Sequence, residues 1–339
     1  MEPRPSPAPA LAPAASVPAS DSPSASRFIQ ARTPSRARDY VALAKPEITF
    51  LVVLSALAGY ALGSPHGVDG VRLAATLVGV ALTAAGGAAF NHVFERAHDA
   101  GMHRTADRPI PSGRVSVRAA SYYAMGLIAA GAGLLCPLTN WLTAALALGT
   151  IGLYLGVYTP LKRRTPANTL VGTIPGALPA LGGYAAATGT LGAGGWAVFA
   201  LLVLWQMPHF LALAWMYRKD YARGGFAMST VTDETGTATA WTILACALLT
   251  VAASLLPLAL APEAFGAAPL SAGSLLAGAW PARALAYGAA ALGLGAYFVV
   301  PTVRFLAGER SNADAKAVLK ASVVYIPLIV AALALAVWV

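Results

Sequence analysis

The feature that most constrains this chain is a series of uncharged apolar runs, each about as long as a bilayer is thick. A helix rises about 1.5 Å per residue, so roughly 20 apolar residues cross a hydrocarbon core. Such runs fall at about 46 to 63, 73 to 94, 119 to 136, 140 to 159, 168 to 187, 195 to 216, 238 to 260, 283 to 303 and 318 to 338. The 339 residues are 57% hydrophobic and 11% charged, more apolar surface than one soluble core can bury. Within lipid, backbone polar groups must be satisfied internally, which leaves helices or closed barrels. The long Ala/Leu/Val/Gly stretches do not alternate as barrel strands do. The expected fold is therefore all-α, a polytopic membrane bundle of about nine transmembrane helices.

Basic residues orient such a bundle, because Lys and Arg collect in short cytoplasmic loops. Of the 23 here, 21 lie before the first run or after the second, fourth, sixth and eighth. Only Arg72 and Arg283 fall on the other side. This pattern predicts a cytoplasmic N-terminus and an external C-terminus. It also accounts for the formal charge of +9 without nucleic acid.

Residues 1–38 are rich in Pro, Ala and Ser and lack the apolar core of a cleavable signal, so they are expected to be a disordered cytoplasmic tail. The rival reading is a mitochondrial presequence, and the prolines oppose the amphipathic helix it needs. Residues 39–339 form the membrane domain. Cys136 and Cys246 lie in or beside apolar runs without metal-like spacing and are expected to be small core residues.

Chemistry-bearing residues gather on the basic side. At the end of the second run, Asn91, Glu95 and Asp99 recur at i, i+4 and i+8 and share one helical face. Three oxygen-bearing side chains in a stripe suit Mg²⁺, which takes a few carboxylates and completes its shell with water and phosphate oxygens. A solvated helix end has the same spacing, and spacing alone does not separate the two. The next loop brings Arg104, Arg108 and Arg114 within reach of an anion, although positive-inside topology also explains each arginine singly.

Two further segments stand out on that side. Tyr158-Thr159-Pro160-Leu161-Lys162-Arg163-Arg164 puts three cations where the fourth run ends, suited to gripping a diphosphate. Trp205-Gln206-Met207-Pro208-His209-Phe210 carries a proline that frees carbonyls one turn earlier. His209 either satisfies such a group or contacts substrate.

Taken together, Asn91-x-x-x-Glu95-x-x-x-Asp99, Arg104-Thr105-x-x-Arg108-Pro109, the Tyr158 to Asn168 segment and Trp205-Gln206-x-Pro208-His209-Phe210 resemble the protohaem IX farnesyltransferases, or haem O synthases, of the UbiA superfamily. The resemblance runs from about residue 40 to the C-terminus. The acidic motif belongs to the whole superfamily, whereas the Tyr-Thr-Pro-Leu-Lys-Arg and Trp-Gln-x-Pro-His-Phe strings are typical of the haem branch. In that branch the first motif is commonly Asn-x-x-x-Asp with another aspartate two residues later; here those positions hold Glu95 and Ala97, with Asp99 kept. The superfamily's second acidic pair is reduced here to Asp220, with Met216 in its partner's place.

The resemblance implies farnesyl transfer from farnesyl diphosphate to a vinyl group of haem B, with water addition, giving haem O. It implies Mg²⁺ on Asn91, Glu95 and Asp99, and Arg104, Arg108, Lys162, Arg163 and Asp220 around the diphosphate. It makes His209 the candidate haem contact. The composition of the N-terminal tail favours a bacterial plasma membrane over the mitochondrial inner membrane, and the resemblance implies, as family-level partners, a haem A synthase or an oxidase assembly complex. Two rival readings are a prenyltransferase acting on a quinone or chlorophyll precursor, and a transporter. A transporter needs broken helices and ionisable groups at the midplane.

Overall fold

Isolation from water forces these runs to satisfy their own hydrogen bonds, and the runs do so as helices. The computed structural model describes residues 36–267 and 280–339. After a short helix α1 (Ala37–Ala44) come α2 (Pro46–Gly63), α3 (Gly70–Asp99), α4 (Val117–Leu138), α5 (Trp141–Gly152), α6 (Asn168–Thr188) and α7 (Ala193–Met216). They are followed by a short α8 (Arg218–Arg223), then α9 (Thr237–Ser254), α10 (Ala282–Ala307) and α11 (Asn312–Trp338). A π-helical turn (Leu153–Tyr158) and the short turn Thr159–Leu161 prolong α5, and Leu256–Leu260 prolongs α9. Among the described residues nine helices are long and apolar enough to cross a membrane, matching the nine runs.

Several helices extend past the apolar runs, because polar caps set their ends. Asp69 accepts from the Arg72 amide at 3.0 Å and starts α3. Ser311 and Asp314 form a reciprocal capping box at the start of α11, six residues before its apolar run. The tail expected over 1–38 lies outside the described residues through residue 35; Arg36 caps α1, and Ala37 and Arg38 begin it.

Close helix crossings rest on small residues, as expected where lipid supplies no hydrophobic drive between helices. A side chain on Gly59 would run into the Ala180 carbonyl, and one on Gly183 into that of Ala56, so α2 and α6 meet backbone to backbone. Likewise a Cβ on Gly131 would sit 2.7 Å from the Gly79 carbonyl oxygen, joining α4 to α3. The largest core unites α2, α6, α7, α9, α10 and α11 around Trp205, Tyr287, Phe298 and Tyr325. Cys136 is a correction to the sequence reading: it is exposed on the outer face of α4, where lipid tolerates a small apolar side chain.

Hydrogen bonds show which ends share a side. The end of α3 meets the end of the α5 extension through Lys162 and Glu95, while Arg104 reaches Tyr221 of α8. Arg218 of α8 reaches Asn312 at the start of α11. The opposite side holds Arg72 at the start of α3 and Arg283 at the start of α10.

Candidate active site

The acidic stripe is buried. Asn91, Glu95 and Asp99 are 1%, 8% and 0% exposed at the end of α3. An ionised group there is costly without a partner, and each carboxylate has one. Glu95 Oε1 accepts from Lys162 Nζ at 2.7 Å, and Glu95 Oε2 accepts from Asn91 Nδ2 at 2.7 Å. Asp99 accepts at both oxygens, at 2.8 and 2.7 Å, from a single nitrogen of Arg108. The solvated helix end that the spacing also allowed is therefore not what forms.

Two of the cations the sequence assigns to a diphosphate, Arg108 and Lys162, thus stand at the stripe itself. Lys162 is tethered twice more: its ammonium lies 4.6 Å from the Tyr158 ring centroid, and its carbonyl accepts from the Ala227 amide at 2.8 Å. Asn168 donates to the Ala227 carbonyl at 2.7 Å, so the loop after α8 latches the Tyr158 to Asn168 segment. Gly225, at φ 68°, makes the reversal that brings Ala227 there, a conformation that favours glycine. Thr159 Oγ1 contacts Asn91 Oδ1 at 3.3 Å, joining this segment to the stripe from the other side.

The remaining predicted residues are more dispersed. Arg104 sits 4.6 and 5.3 Å from the Tyr217 and Tyr221 ring centroids and donates to the Tyr221 hydroxyl at 3.3 Å. Arg163 approaches His98 Nε2 at 3.0 Å. Asp220 accepts from Arg223 at 3.2 Å within α8. Arg114, expected within reach of an anion, instead bonds Asp39 at 2.9 Å and Asp107 at 2.9 Å, clasping α1 to the loop after α3.

His209 does not take up the carbonyl freed by Pro208. Its Nδ1 lies 2.8 Å from Ser322 Oγ on α11, and its ring stacks on Trp205 at 5.2 Å. The Ser322 hydroxyl donates to the Leu319 carbonyl at 2.7 Å, so its oxygen is left to accept from His209 Nδ1–H. That bond fixes the tautomer and leaves the Nε2 lone pair for another partner. Trp205 Nε1 donates to the Ser322 carbonyl at 2.8 Å, tying the same motif to α11.

Lys45 was read in the sequence only as a topological charge. It joins α1 to α2 in a left-handed conformation, φ 47°, unusual for a residue with a Cβ. Burial and the nearby Arg108 and Lys162 bring its ammonium down to about 7. His92, buried on α3, has no hydrogen-bond partner for either ring nitrogen among the described residues.

The donor set fits a hard cation. Both carboxylates already gather cationic groups, and among the described residues Asn91 Oδ1 carries only the long contact from Thr159. Among the described residues no three His, Cys, Asp or Glu side chains converge, so an ion here would complete its shell with water and substrate oxygens, as Mg²⁺ does.

Residues 52–324 match the UbiA prenyltransferase family. A protein of Salinibacter ruber called protoheme IX farnesyltransferase is 52% identical over 87% of this chain and 97% of its own length. Among solved structures, a digeranylgeranylglyceryl phosphate synthase superposes with a TM-score of 0.66 at 16% identity, over 88% of this chain and 98% of that one. A UbiA homologue from Archaeoglobus fulgidus, bound to GPP and Mg²⁺, gives 0.60 at 15% identity over 87% and 99%. At these identities the two structures speak for the fold alone.

Proposed function

The chain belongs to the UbiA prenyltransferase family, and from that premise we propose that it transfers a farnesyl group from farnesyl diphosphate to a vinyl group of haem B, giving haem O. The observation that carries the reading is the buried Asn91, Glu95 and Asp99 stripe with Lys162 and Arg108 upon it, in a chain so similar to the Salinibacter ruber farnesyltransferase.

The reaction begins with heterolysis of the farnesyl carbon–oxygen bond, whose electron pair leaves with diphosphate. Rate depends on stabilising that growing negative charge. Lys162 and Arg108 balance the two carboxylates of Glu95 and Asp99, and they are the cationic groups nearest to a diphosphate bound at the stripe. Arg104 and Arg163, held only by half-buried aromatic and imidazole partners, stand ready to turn toward the same oxygens. Held by Asn91, Glu95 and Asp99, a Mg²⁺ would bind the diphosphate and neutralise the charge it carries away.

The allylic cation then takes the π electrons of the haem vinyl group, forming the new carbon–carbon bond. Water adds to the resulting cation and loses a proton, leaving a hydroxyl. The apolar bundle keeps water from the farnesyl cation before the vinyl group reaches it. His209 contacts the haem through the Nε2 lone pair, at the iron, with its orientation set by Ser322. Asp220 orders the basic α8 face through Arg223 rather than holding a second metal.

We place the protein in a bacterial plasma membrane with a cytoplasmic N-terminus, so that the site faces the side bearing 21 of its 23 basic residues. A haem A synthase or an oxidase assembly complex would take the product. The test is reaction of the protein with haem B and farnesyl diphosphate, with and without chelation of Mg²⁺. The expected product is haem B plus one farnesyl group and one hydroxyl, formed only with the metal. Prenylation of an aromatic acceptor in place of haem would support the quinone-type reading instead.

A further inference from the structure

On the side opposite the stripe, the first two turns of α10 and the last two of α11 leave a groove of about 340 Å³ between them. Small side chains make the room: Ala286 on α10 and Ala332 and Ala336 on α11 line it, together with Tyr287, Leu335 and Val339. The Tyr287 hydroxyl donates to the Ser254 carbonyl at 2.7 Å, so its polar end is spent within the bundle. From Ala332 to Val339 the helix rises about 10 Å.

Arg283 lines the same groove, on the side where basic residues are scarce. Its Nε donates to the Phe265 carbonyl at 2.7 Å, and a Cβ on Gly266 would collide with Nη2, so the guanidinium is anchored in place. Arg72, the other basic residue of this side, has Asp69 at 3.7 Å. Arg283 has no carboxylate within 4 Å among the described residues, and residues 268–279 contain no acid. The start of α10 adds to the charge, because Pro281 at the N-cap offers no side-chain acceptor and the positive end of a 26-residue helix opens beside Arg283. Two anion-seeking features thus stand at the mouth of an apolar groove, near the end of the bundle where Trp280 and Trp338 pack, as aromatic residues do at a membrane surface.

We propose that the groove seats an acyl chain of an anionic phospholipid from the leaflet opposite the active site, with the headgroup phosphate held by Arg283 and the start of α10. Charge selects this occupant: hydrocarbon alone suits the alanines but leaves the guanidinium unpaired, whereas phosphate oxygens match its forked donors and the helix end. A zwitterionic headgroup brings its own cation to the phosphate and competes with Arg283. Bound there, the lipid bridges α10 to α11, the helix whose Ser322 sets His209.

The experiment places the full chain in phosphatidylcholine nanodiscs with trace phosphatidylglycerol that carries a diazirine on one acyl chain. Labelling is expected to concentrate on residues 283–287 and 332–339, a readout on the unmutated protein that stands even if a variant misfolds. Native mass spectrometry of the detergent-purified chain, titrated with phosphatidylglycerol, then measures affinity. Arg283→Gln is expected to bind about fivefold more weakly, the scale of one basic residue at an anionic surface. Ala332→Phe, which fills the groove, should lose the most tightly held lipid, whereas Leu285→Phe, on an exposed face of α10, should match wild type. Label spread evenly along α10 and α11, or equal affinity in wild type and Arg283→Gln, would overturn the proposal. Displacement of the lipid by inorganic phosphate would leave only a free-anion site, and a groove that takes no label would belong to protein, either residues 268–279 or a second copy of the chain.

Discussion

Lys162 Nζ lies 2.7 Å from Glu95 Oε1, a pair formed across 67 residues between the end of α3 and the end of the α5 extension. It joins directly the acidic stripe and the basic segment that the sequence brings together only through a shared diphosphate. Removing one partner of a largely buried pair leaves the other uncompensated, at about 3 kcal/mol. Lys162→Met is therefore expected to lower thermal stability in detergent as well as activity. Glu95→Gln keeps the shape and can still accept from Asn91, yet it leaves the Lys162 ammonium without its counter-charge, so a comparable loss of stability is expected. The folded protein should lose roughly 100-fold in kcat, the scale of losing one charge-stabilising group. Size-exclusion profiles beside kinetics separate the two effects.

Arg108 serves Asp99 through one nitrogen at both carboxylate oxygens, and its stem is only partly exposed. Lysine can supply the charge but not the guanidinium's further donors. Arg108→Lys is expected to fold and to show a KM for farnesyl diphosphate raised about tenfold, the scale of one lost charge-assisted hydrogen bond. An unchanged KM would mean that Arg108 does not leave Asp99 for the substrate.

Ser322 fixes His209 through Nδ1. Ser322→Ala frees the ring to rotate, and if His209 meets haem the KM for haem B rises severalfold while that for farnesyl diphosphate stays put. Titration with each substrate in turn reads the split. Equal changes in both would make the bond a packing contact between α7 and α11.

The α1 clasp carries a pH dependence. Hydrogen bonds from the Arg36 amide and the Arg114 guanidinium hold the Asp39 carboxyl below its ordinary range. A carboxylate with a depressed folded pKa contributes stability above its unfolded pKa, near 4, and loses it as pH falls through the lower folded value. Amide exchange in residues 37–44 is expected to quicken below about pH 4 and to do so at neutral pH in Asp39→Asn. Exchange in α1 that ignores both changes would show that the clasp does not hold the helix.

Helix contacts give a packing test. Gly183→Val has no room against the Ala56 carbonyl and is expected to abolish folded, monodisperse protein. Gly133→Val, on an open face of α4, should leave yield and activity near wild type. Comparable yields of both would refute the backbone-to-backbone crossing of α2 and α6.

What could be read in advance follows from how local each signal is. Nine apolar runs announce nine helices because each run satisfies its own backbone. Asn91, Glu95 and Asp99 are legible as one face because all three ride a single helix. Their counter-ions are legible, but the attachment to the stripe is not, since Lys162 meets Glu95 only after α3, α4 and α5 have packed. The start of α11 escaped because its first turn is polar and a cap, not hydropathy, defines it. Lys45 looked like one more loop cation; its left-handed backbone and inward setting depend on how α1 docks. The Ser322 bond to His209 leaves no mark in either segment, and Cys136 faces outward because lipid, unlike water, does not drive a small apolar residue inward.

The most direct test of the central claim pairs wild type with Glu95→Gln, purified side by side and matched in folded protein, each given haem B, farnesyl diphosphate and Mg²⁺, with products resolved by chromatography and mass spectrometry. The account predicts haem O from wild type and at least a hundredfold less from Glu95→Gln, on the scale of one lost charge-stabilising group. Folded wild type that yields no haem O, or a Glu95→Gln variant that matches it, would contradict the assignment of the reaction to this stripe.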